Sequence, residues 1–299
     1  MTAIRTSPSA GPGSAEITGF YEKDTGSIQY LAACPATGKA AIIDAVLNFD
    51  PRSARTWTDS ADQVLQFAAG KGYEIEWILD THPHADHLMA SAYLKEKLGA
   101  PTCIGEKVRE IAGIWGELYG APEMFDPDRD FDRLLENGEA FRIGDLDVQV
   151  MLSPGHTLGS VTYVVGNDAA FVHDTLMQAD VGSSRADFPG GSAAELWDSI
   201  QRILSLPEAT RLFIGHDYGA KGRDGPEWEA TVAEHLEKNP HVHRGMKRED
   251  FIALRETRDA GLPLPDRMLH ALQVNLRGGR LPEADEKGRS FFRIPANRF

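Results

Sequence analysis

Residues 81–87 place three histidines and an aspartate directly after an apolar run. The run at residues 75–79 predicts a buried strand, and residues 88–95 predict the beginning of a helix. The cluster therefore falls on a loop after a strand, where the strand end fixes ligand directions and the loop leaves space for a substrate. Isolated histidines are more often surface or core residues, but a cluster of this density predicts a metal site.

Three more polar groups follow predicted strands. His156 comes after a strand at residues 146–152, His173 and Asp174 come after a strand at 169–172, and His216 comes after a strand at 211–214. Alone, each Gly-His pair is more typical of a turn beside an ordinary histidine. The repeated placement at strand ends instead favours one shared site, and imidazoles with carboxylates but no thiolates suit zinc, iron or manganese.

The pattern of elements predicts two sheets flanked by helices in one domain. We expect a hairpin from strands at 27–31 and 39–44, and helices at 60–70, from Ser192 and from Pro226. Residues 101–141 have mixed composition and are interpreted as a lid or flap. The predicted organisation is a flexible leader at 1–15, a catalytic domain at 16–245, and an extension at 246–299, with one or two helices, packed on that domain.

Charge and composition narrow the partners. The chain has 45 acidic and 31 basic side chains and a net charge of -14, which disfavours nucleic acid as the main partner. No apolar stretch is long enough for a membrane span, and residues 1–15 lack the apolar core of a secretory signal. Cys34 and Cys103 are too few for a disulfide framework and are predicted to be buried, which favours a reducing, cytoplasmic location.

The ordered set of polar residues resembles the metallo-β-lactamase superfamily over approximately residues 25–220. The resemblance implies an α+β fold, the αββα sandwich, with a metal cleft at the common edge of two sheets. Asp174 stands where several true β-lactamases carry cysteine, which counts against antibiotic hydrolysis. The set is His82, His84, Asp86, His87, His156, Asp174 and His216.

Shorter segments resemble the persulfide dioxygenase branch, which is close to glyoxalase II. These are residues 153–157, 184–188 and 216–218, together with 262–265 and 273–277 in the carboxyl-terminal tail. The glyoxalase II branch usually has glutamate where Asp217 stands. Without the resemblance, the tail would be interpreted as a packing helix and surface, so Asn275 and Arg277 carry only a weak functional claim.

The resemblance implies an Fe(II) enzyme that oxidises glutathione persulfide with O2 to sulfite and glutathione. His82, His156 and Asp174 would hold the iron as a two-histidine, one-carboxylate triad, which leaves positions open for sulfur and O2. The remaining cluster residues would orient ligands or supply protons, and Tyr218 either points its hydroxyl into the cleft or is an ordinary buried aromatic. The implied catalytic residues are therefore Asp86, His87, His216 and Tyr218, with His84 as a further neighbour of the metal.

Glutathione carries carboxylates, so an acidic protein needs local cations at the mouth of the pocket. Arg185, Lys221 and Arg223 are the candidates. The alternatives are an ion pair between Arg185 and Asp187, and an exposed loop for the other two cations.

Two other functions use the same residues. In a dinuclear zinc hydrolase of the glyoxalase II type, one zinc would bind His82, His84 and His156 and the other Asp86, His87 and His216, with Asp174 bridging. The third hypothesis is a non-catalytic metal-binding homologue. His173 stands where these families commonly have glycine, and either reshapes the pocket or points away from Asp174. A homodimer is compatible with the sequence.

Overall fold

The strands and helices alternate along the chain much as the hydrophobic pattern predicts. A computed structural model describes residues 3–298. The strands are Ile4–Ser7 (β1), Glu16–Glu22 (β2), Ser27–Ala33 (β3), Lys39–Ile43 (β4), Val46–Asp50 (β5), Arg55–Trp57 (β6), Glu74–Leu79 (β7), Leu88–Met89 (β8), Thr102–Gly105 (β9), Arg133–Leu135 (β10), Ala140–Ile143 (β11), Leu146–Leu152 (β12), Val161–Val165 (β13), Ala169–His173 (β14), Arg211–Ile214 (β15) and Glu229–Thr231 (β16). The α-helices are Asp59–Lys71 (α1), Ser91–Leu98 (α2), Val108–Tyr119 (α3), Pro127–Asp130 (α4), Ala193–Leu204 (α5), Val232–Lys238 (α6), Arg248–Asp259 (α7) and Met268–Asn275 (α8), and Pro122–Met124 forms a 3-10 turn.

Two large sheets provide the framework. The first has the order β1-β2-β3-β4-β7-β9-β10 and the second the order β11-β12-β13-β14-β15-β16, while β5, β6 and β8 form a small third sheet. The predicted hairpin is confirmed as β3 and β4, which pair antiparallel. β7 then adds parallel to β4, because α1 in the connection carries the chain back to the same end of the sheet.

The core lies between the two large sheets. In β12 the buried residues Leu146, Val148 and Val150 alternate with exposed Asp147 and Gln149, as expected for a strand with one face on the core. An aromatic cluster fills the space between the sheets: the ring of Tyr30 on β3 lies edge-on to Phe171 on β14 and Phe213 on β15. The α+β sandwich expected from the resemblance is confirmed.

Three local predictions are wrong within the described residues. The expected flexible leader contains β1, which pairs antiparallel with the edge of β2 and is also held by side-chain contacts of Arg5 with Glu227 and of Thr6 with Thr18. The helix expected from Pro226 begins only at Val232, because Thr231 forms a capping box with Glu234 and residues 229–231 pair with β15. The helix expected at residues 88–95 begins at Ser91.

Residues 101–141 are a packed part of the fold. β9 and β10 extend the first sheet, and α3 buries Val108, Ile111 and Trp115. Such burial holds a helix in place, so the lid or flap expected from the mixed composition is replaced by a helix anchored in the core. Within residues 3–298, no helix is both long and apolar enough to cross a bilayer.

Acid is expected to destabilise the fold through buried His235 on α6. Burial lowers the pKa of His235 to about 4, so the folded chain keeps it neutral while the unfolded chain protonates it below about pH 6.5. The stability that His235 contributes is complete above that pH and is lost as the pH falls towards 4, by about 3 kcal/mol in total. His235→Phe should therefore flatten the fall in unfolding free energy, measured by urea denaturation between about pH 7 and pH 4.5.

The matched control is His243→Phe, because His243 is exposed. An unchanged pH dependence in His235→Phe, or an equal change in both variants, would contradict the assignment.

Candidate metal centre

His82, His156 and Asp174 meet where β7, β12 and β14 end. One ligand atom from each lies within 4.8 Å of the other two. Asp174 Oδ2 is 3.8 Å from His82 Nε2 and 3.6 Å from His156 Nε2. All three residues are buried, and His82 Nε2 has no hydrogen-bond partner among the described residues. A buried nitrogen without a partner is costly, so the geometry fits a bound cation.

Hydrogen bonds at the far side of each imidazole fix its tautomer. The Thr81 hydroxyl donates to Asp44 Oδ2 at 2.8 Å, so His82 Nδ1, at 3.0 Å from the same hydroxyl, is the donor to it. His156 Nδ1 lies 2.8 Å from the carbonyl oxygen of Arg185, which can only accept. Both Nε2 atoms therefore keep a free lone pair that faces Asp174, as a metal ligand requires.

The second group is His84, Asp86 and His87, which the loop after β7 brings together. His87 Nδ1 lies 3.1 Å from the carbonyl oxygen of Leu88, which leaves its Nε2 free. Both ring nitrogens of His84 lack a hydrogen bond among the described residues, although Nε2 lies 3.1 Å from Asp44 Oδ1. This group also has the unpartnered nitrogens and the carboxylate of a metal site.

His216 lies between the two groups. Its Nδ1 is 2.6 Å from Asp174 Oδ1 and its Nε2 is 2.6 Å from Asp86 Oδ2. Burial alone lowers the pKa of His216, but the two carboxylates outweigh it and raise that pKa well above its ordinary value. Asp86, Asp174 and His216 form a third set of ligand atoms within 4.8 Å of one another, so the carboxylates link the two halves of the site.

Glycines allow the strand ends to approach this closely. At position 215 a Cβ atom would lie 2.5 Å from Asp174 Oδ1. At position 155 a Cβ atom would lie 2.3 Å from the backbone nitrogen of Leu196 in α5, and the Gly155 φ angle is +134°. Gly155 thus fixes the loop that carries His156 against α5.

Gly155→Ala is expected to destabilise the protein and to displace His156. The added methyl overlaps the backbone of α5, and the φ angle strains any L side chain, so the cost should be about 1–3 kcal/mol. Urea denaturation measures it, with Gly225→Ala as the control because a Cβ atom at Gly225 meets nothing within 4 Å. Equal stability of the two variants would refute the role given to Gly155.

His173 supports the site from behind. It is buried, its φ angle is +40°, and its ring centroid lies 4.9 Å from that of His82. A left-handed φ is easiest for glycine, so His173 holds a backbone conformation that L side chains rarely adopt. His173 Nε2 lies 3.0 Å from the Thr175 hydroxyl, and none of the three candidate ligand groups includes His173. His173 therefore packs against His82.

A cleft of about 480 Å3 opens over the candidate metal centre. Asp86, His156, Asp174 and His216 form its floor, and the other wall comes from residues 262–266, between α7 and α8. Arg255 and Arg258 of α7 also line it. Sequence reasoning assigned neither arginine to the site. In the sequence, only the resemblance of residues 262–265 to the carboxyl-terminal tail of persulfide dioxygenases indicates that this segment lies at the site.

The three predicted substrate cations have different surroundings. Arg185 lines the cleft and forms an ion pair with Asp187, with N to O distances of 2.6 and 2.7 Å. Lys221 and Arg223 do not line the cleft. Arg223 instead forms ion pairs with Asp217 and Asp180, because these two acids lie on either side of its guanidinium group. Of the three predicted cations, Arg185 alone lines the cleft.

Tyr218 lies at the cleft and is exposed rather than buried. Its side chain is 68% exposed, and its ring stacks on His216 with centroids 5.7 Å apart. The alternative of an ordinary buried aromatic is therefore wrong. A flat aromatic face beside the candidate metal centre is available to contact a substrate.

Sequence reasoning also missed Asp44, which follows β4. Its side chain accepts hydrogen bonds from the backbone and hydroxyl of Thr81, and it lies against His84. The φ angle of Asp44 is +53°, so a turn aims the carboxylate at the neighbouring strand end. A lone aspartate after an apolar strand was the only signal for it.

The comparisons with known proteins agree with this geometry. The sequence model of the metallo-beta-lactamase superfamily matches residues 29–216. A beta-lactamase hydrolase-like protein of Agrobacterium fabrum is 54% identical over 93% of the chain, which spans 64% of that relative's length. A hydroxyacylglutathione hydrolase of Rhodospirillum rubrum is 33% identical over 63% of the chain and 61% of its own length.

A solved structure shows the same fold. The crystal structure of ETHE1 from Myxococcus xanthus superimposes with a TM-score of 0.70 at 30% identity, covering 88% of this chain and 99% of that one. The family match spans the region that carries all three candidate ligand groups. The chain therefore belongs to the metallo-beta-lactamase superfamily.

Proposed function

We propose that the protein is an Fe(II)-dependent dioxygenase that oxidises glutathione persulfide. In the balanced reaction, one persulfide, one O2 and one water give glutathione, sulfite and two protons. The sulfur–sulfur bond breaks, its electron pair stays with the glutathione sulfur, and the persulfide loses four electrons overall, which O2 accepts. The reaction therefore needs no reductant beyond the substrate.

The observation that carries this proposal is the set of His82, His156 and Asp174. Two neutral imidazoles and one carboxylate converge from three strand ends, with fixed tautomers on both histidines. This donor set is typical of non-haem Fe(II) oxygenases. These three residues would hold Fe(II), which would supply the redox chemistry between the substrate sulfur and O2.

The chain's other residues have separate roles in this proposal. His216 holds a proton between Asp174 and Asp86, at 2.6 Å from each, and orients Asp174. Asp86 lines the cleft beside the candidate metal centre, with His84 and His87 next to it in the same ligand group, and Tyr218 covers the cleft above His216. The histidines of the candidate metal centre are buried beneath the cleft, which lowers their own contact with bulk water.

The cleft suits a substrate with an apolar stem and carboxylates. Phe188, Leu262 and Leu264 line it, and Arg185, Arg255 and Arg258 provide cations. Asp187 and Asp259 pair with Arg185 and Arg255 respectively, whereas Arg258 is exposed and contacts His241 Nε2 at 3.1 Å. Arg258 is therefore the cation best placed to meet a carboxylate of glutathione.

The likeness to ETHE1 supports the dioxygenase branch, since it extends over nearly the whole of that chain. The match includes the carboxyl-terminal part of this chain as well as the region of the family model, because 88% of the chain is covered. The resemblance of the tail segments points in the same direction.

A dinuclear zinc hydrolase acting on glutathione thioesters is the second candidate. It is favoured by the group of His84, Asp86 and His87, whose free nitrogens fit a second cation. The likeness to a hydroxyacylglutathione hydrolase supports it too. Under this alternative Asp174 would lie between two zinc ions and the site would activate water.

Parallel assays on one purified sample separate these functions. The iron-loaded protein is expected to consume O2 with glutathione persulfide, and the zinc-loaded protein to leave glutathione thioesters intact. Thioester hydrolysis without O2 uptake would establish the hydrolase instead. A fully metal-loaded protein with neither activity would favour a non-catalytic metal-binding homologue.

A further inference from the structure

We propose that Asn275, in the carboxyl-terminal helix α8, is a positioning residue that fixes the loop carrying His84 and His87. Its Nδ2 donates to the backbone carbonyl oxygens of His84 at 2.7 Å and His87 at 2.8 Å. Its Oδ1 accepts from the backbone nitrogen of Met89 at 2.8 Å. All three of these hydrogen bonds join the Asn275 side chain to the backbone of one loop.

The helix that carries Asn275 is itself held firmly. Asn275 is fully buried, and Met268, Leu272 and Leu276 pack in the same core cluster as Met89 and Ile104. At position 279, just after α8, a Cβ atom would lie 2.8 Å from the Met89 carbonyl oxygen. This close packing gives Asn275 little freedom, so it can act as a fixed support for the loop.

The support acts on one half of the candidate metal centre. His82 lies three residues after the end of β7 and is oriented by Thr81 and Asp44, whereas His84 and His87 lie further along the loop. Without Asn275, the carbonyl groups of these two histidines would lose their buried donors. The loop would then be free to rearrange, and the ring directions of His84 and His87 would change.

Asn275 lies outside residues 29–216, which the family model matches. The extension after residue 245 therefore contributes to the geometry of the candidate metal centre as well as to the cleft wall. The inference holds whichever reaction the site performs, because it concerns the loop backbone. Its failure would leave the proposed dioxygenase untouched.

The test compares Asn275→Ala with Gln273→Ala. Gln273 is a matched control because it is buried on the same helix and also makes three hydrogen bonds to main-chain atoms, those of Leu269 and Arg293. In the metal-free protein, Asn275→Ala should speed hydrogen exchange of the Met89 amide and its loop, and Gln273→Ala should not. The affinity of the His84, Asp86 and His87 group for zinc, measured by competition with a chromogenic chelator after the first equivalent has bound, should fall about 10–100-fold in Asn275→Ala alone.

Equal effects in the two variants, or wild-type exchange of the Met89 amide in Asn275→Ala, would overturn the proposal. Asn275→Leu keeps the side-chain volume and removes the hydrogen bonds, so it should reproduce the effect of alanine. Should both variants fail to fold, exchange in the unmodified metal-free protein still decides. Protection of the Met89 amide from exchange equal to that of the α8 amides supports the positioning role of Asn275, and rapid exchange at Met89 contradicts it.

Discussion

His156→Ala is expected to abolish metal retention. The change removes one of the three side chains in the His82, His156 and Asp174 group, and with it the nitrogen that lies 3.6 Å from Asp174 Oδ2. Two remaining donors leave the cation largely exposed to exchange with water, so metal content should fall below about a tenth of the wild-type value. Elemental analysis after gel filtration measures the loss, and oxidation of persulfide should disappear with it.

His243→Ala is the control for this variant, because His243 is an exposed histidine that belongs to none of the candidate ligand groups. It should retain metal and activity. Full metal content in His156→Ala would exclude the proposed triad.

His216→Ala is expected to leave iron bound and to slow turnover about 10–100-fold. His216 lies 2.6 Å from a carboxylate oxygen of Asp174 and from one of Asp86, so its loss leaves Asp174 free to rotate and removes a proton from the cleft. Iron content and kcat for O2 uptake, measured on the same preparation, separate retention from turnover.

Tyr218→Phe provides the comparison for His216→Ala, because it keeps the ring that stacks on His216 and removes only the hydroxyl. Loss of all iron from His216→Ala would show that His216 is itself a required ligand. That outcome would contradict a single iron held by the triad and would favour the dinuclear site.

Much of the fold and of the candidate site was accessible from local sequence patterns. The strand at 146–152 was predicted with its observed bounds, because its alternation of apolar and polar residues reports one buried face. The spacing of Ser192 and Glu195 predicts the beginning of helix α5. In the structure the Ser192 side chain accepts a hydrogen bond from the backbone nitrogen of Glu195, as that pattern predicts. The candidate ligands follow strand ends, which sequence also marks.

Other features depend on contacts between distant parts of the chain, which local patterns do not encode. The sequence of residues 1–15 predicts a flexible leader, because nothing in that segment alone indicates that β1 pairs with β2. Asn275 is separated from His84 by 191 positions, and only the folded chain brings Asp180 to Arg223, which also pairs with Asp217. Sequence therefore predicted the candidate ligands better than the residues that support them.

The most direct test of the proposed function is the stoichiometry of O2 uptake by the iron-loaded protein with glutathione persulfide. One O2 should disappear for each sulfite formed, at a rate that follows the iron content and falls to background in His156→Ala. No O2 uptake by a protein that carries its full complement of iron would contradict the account.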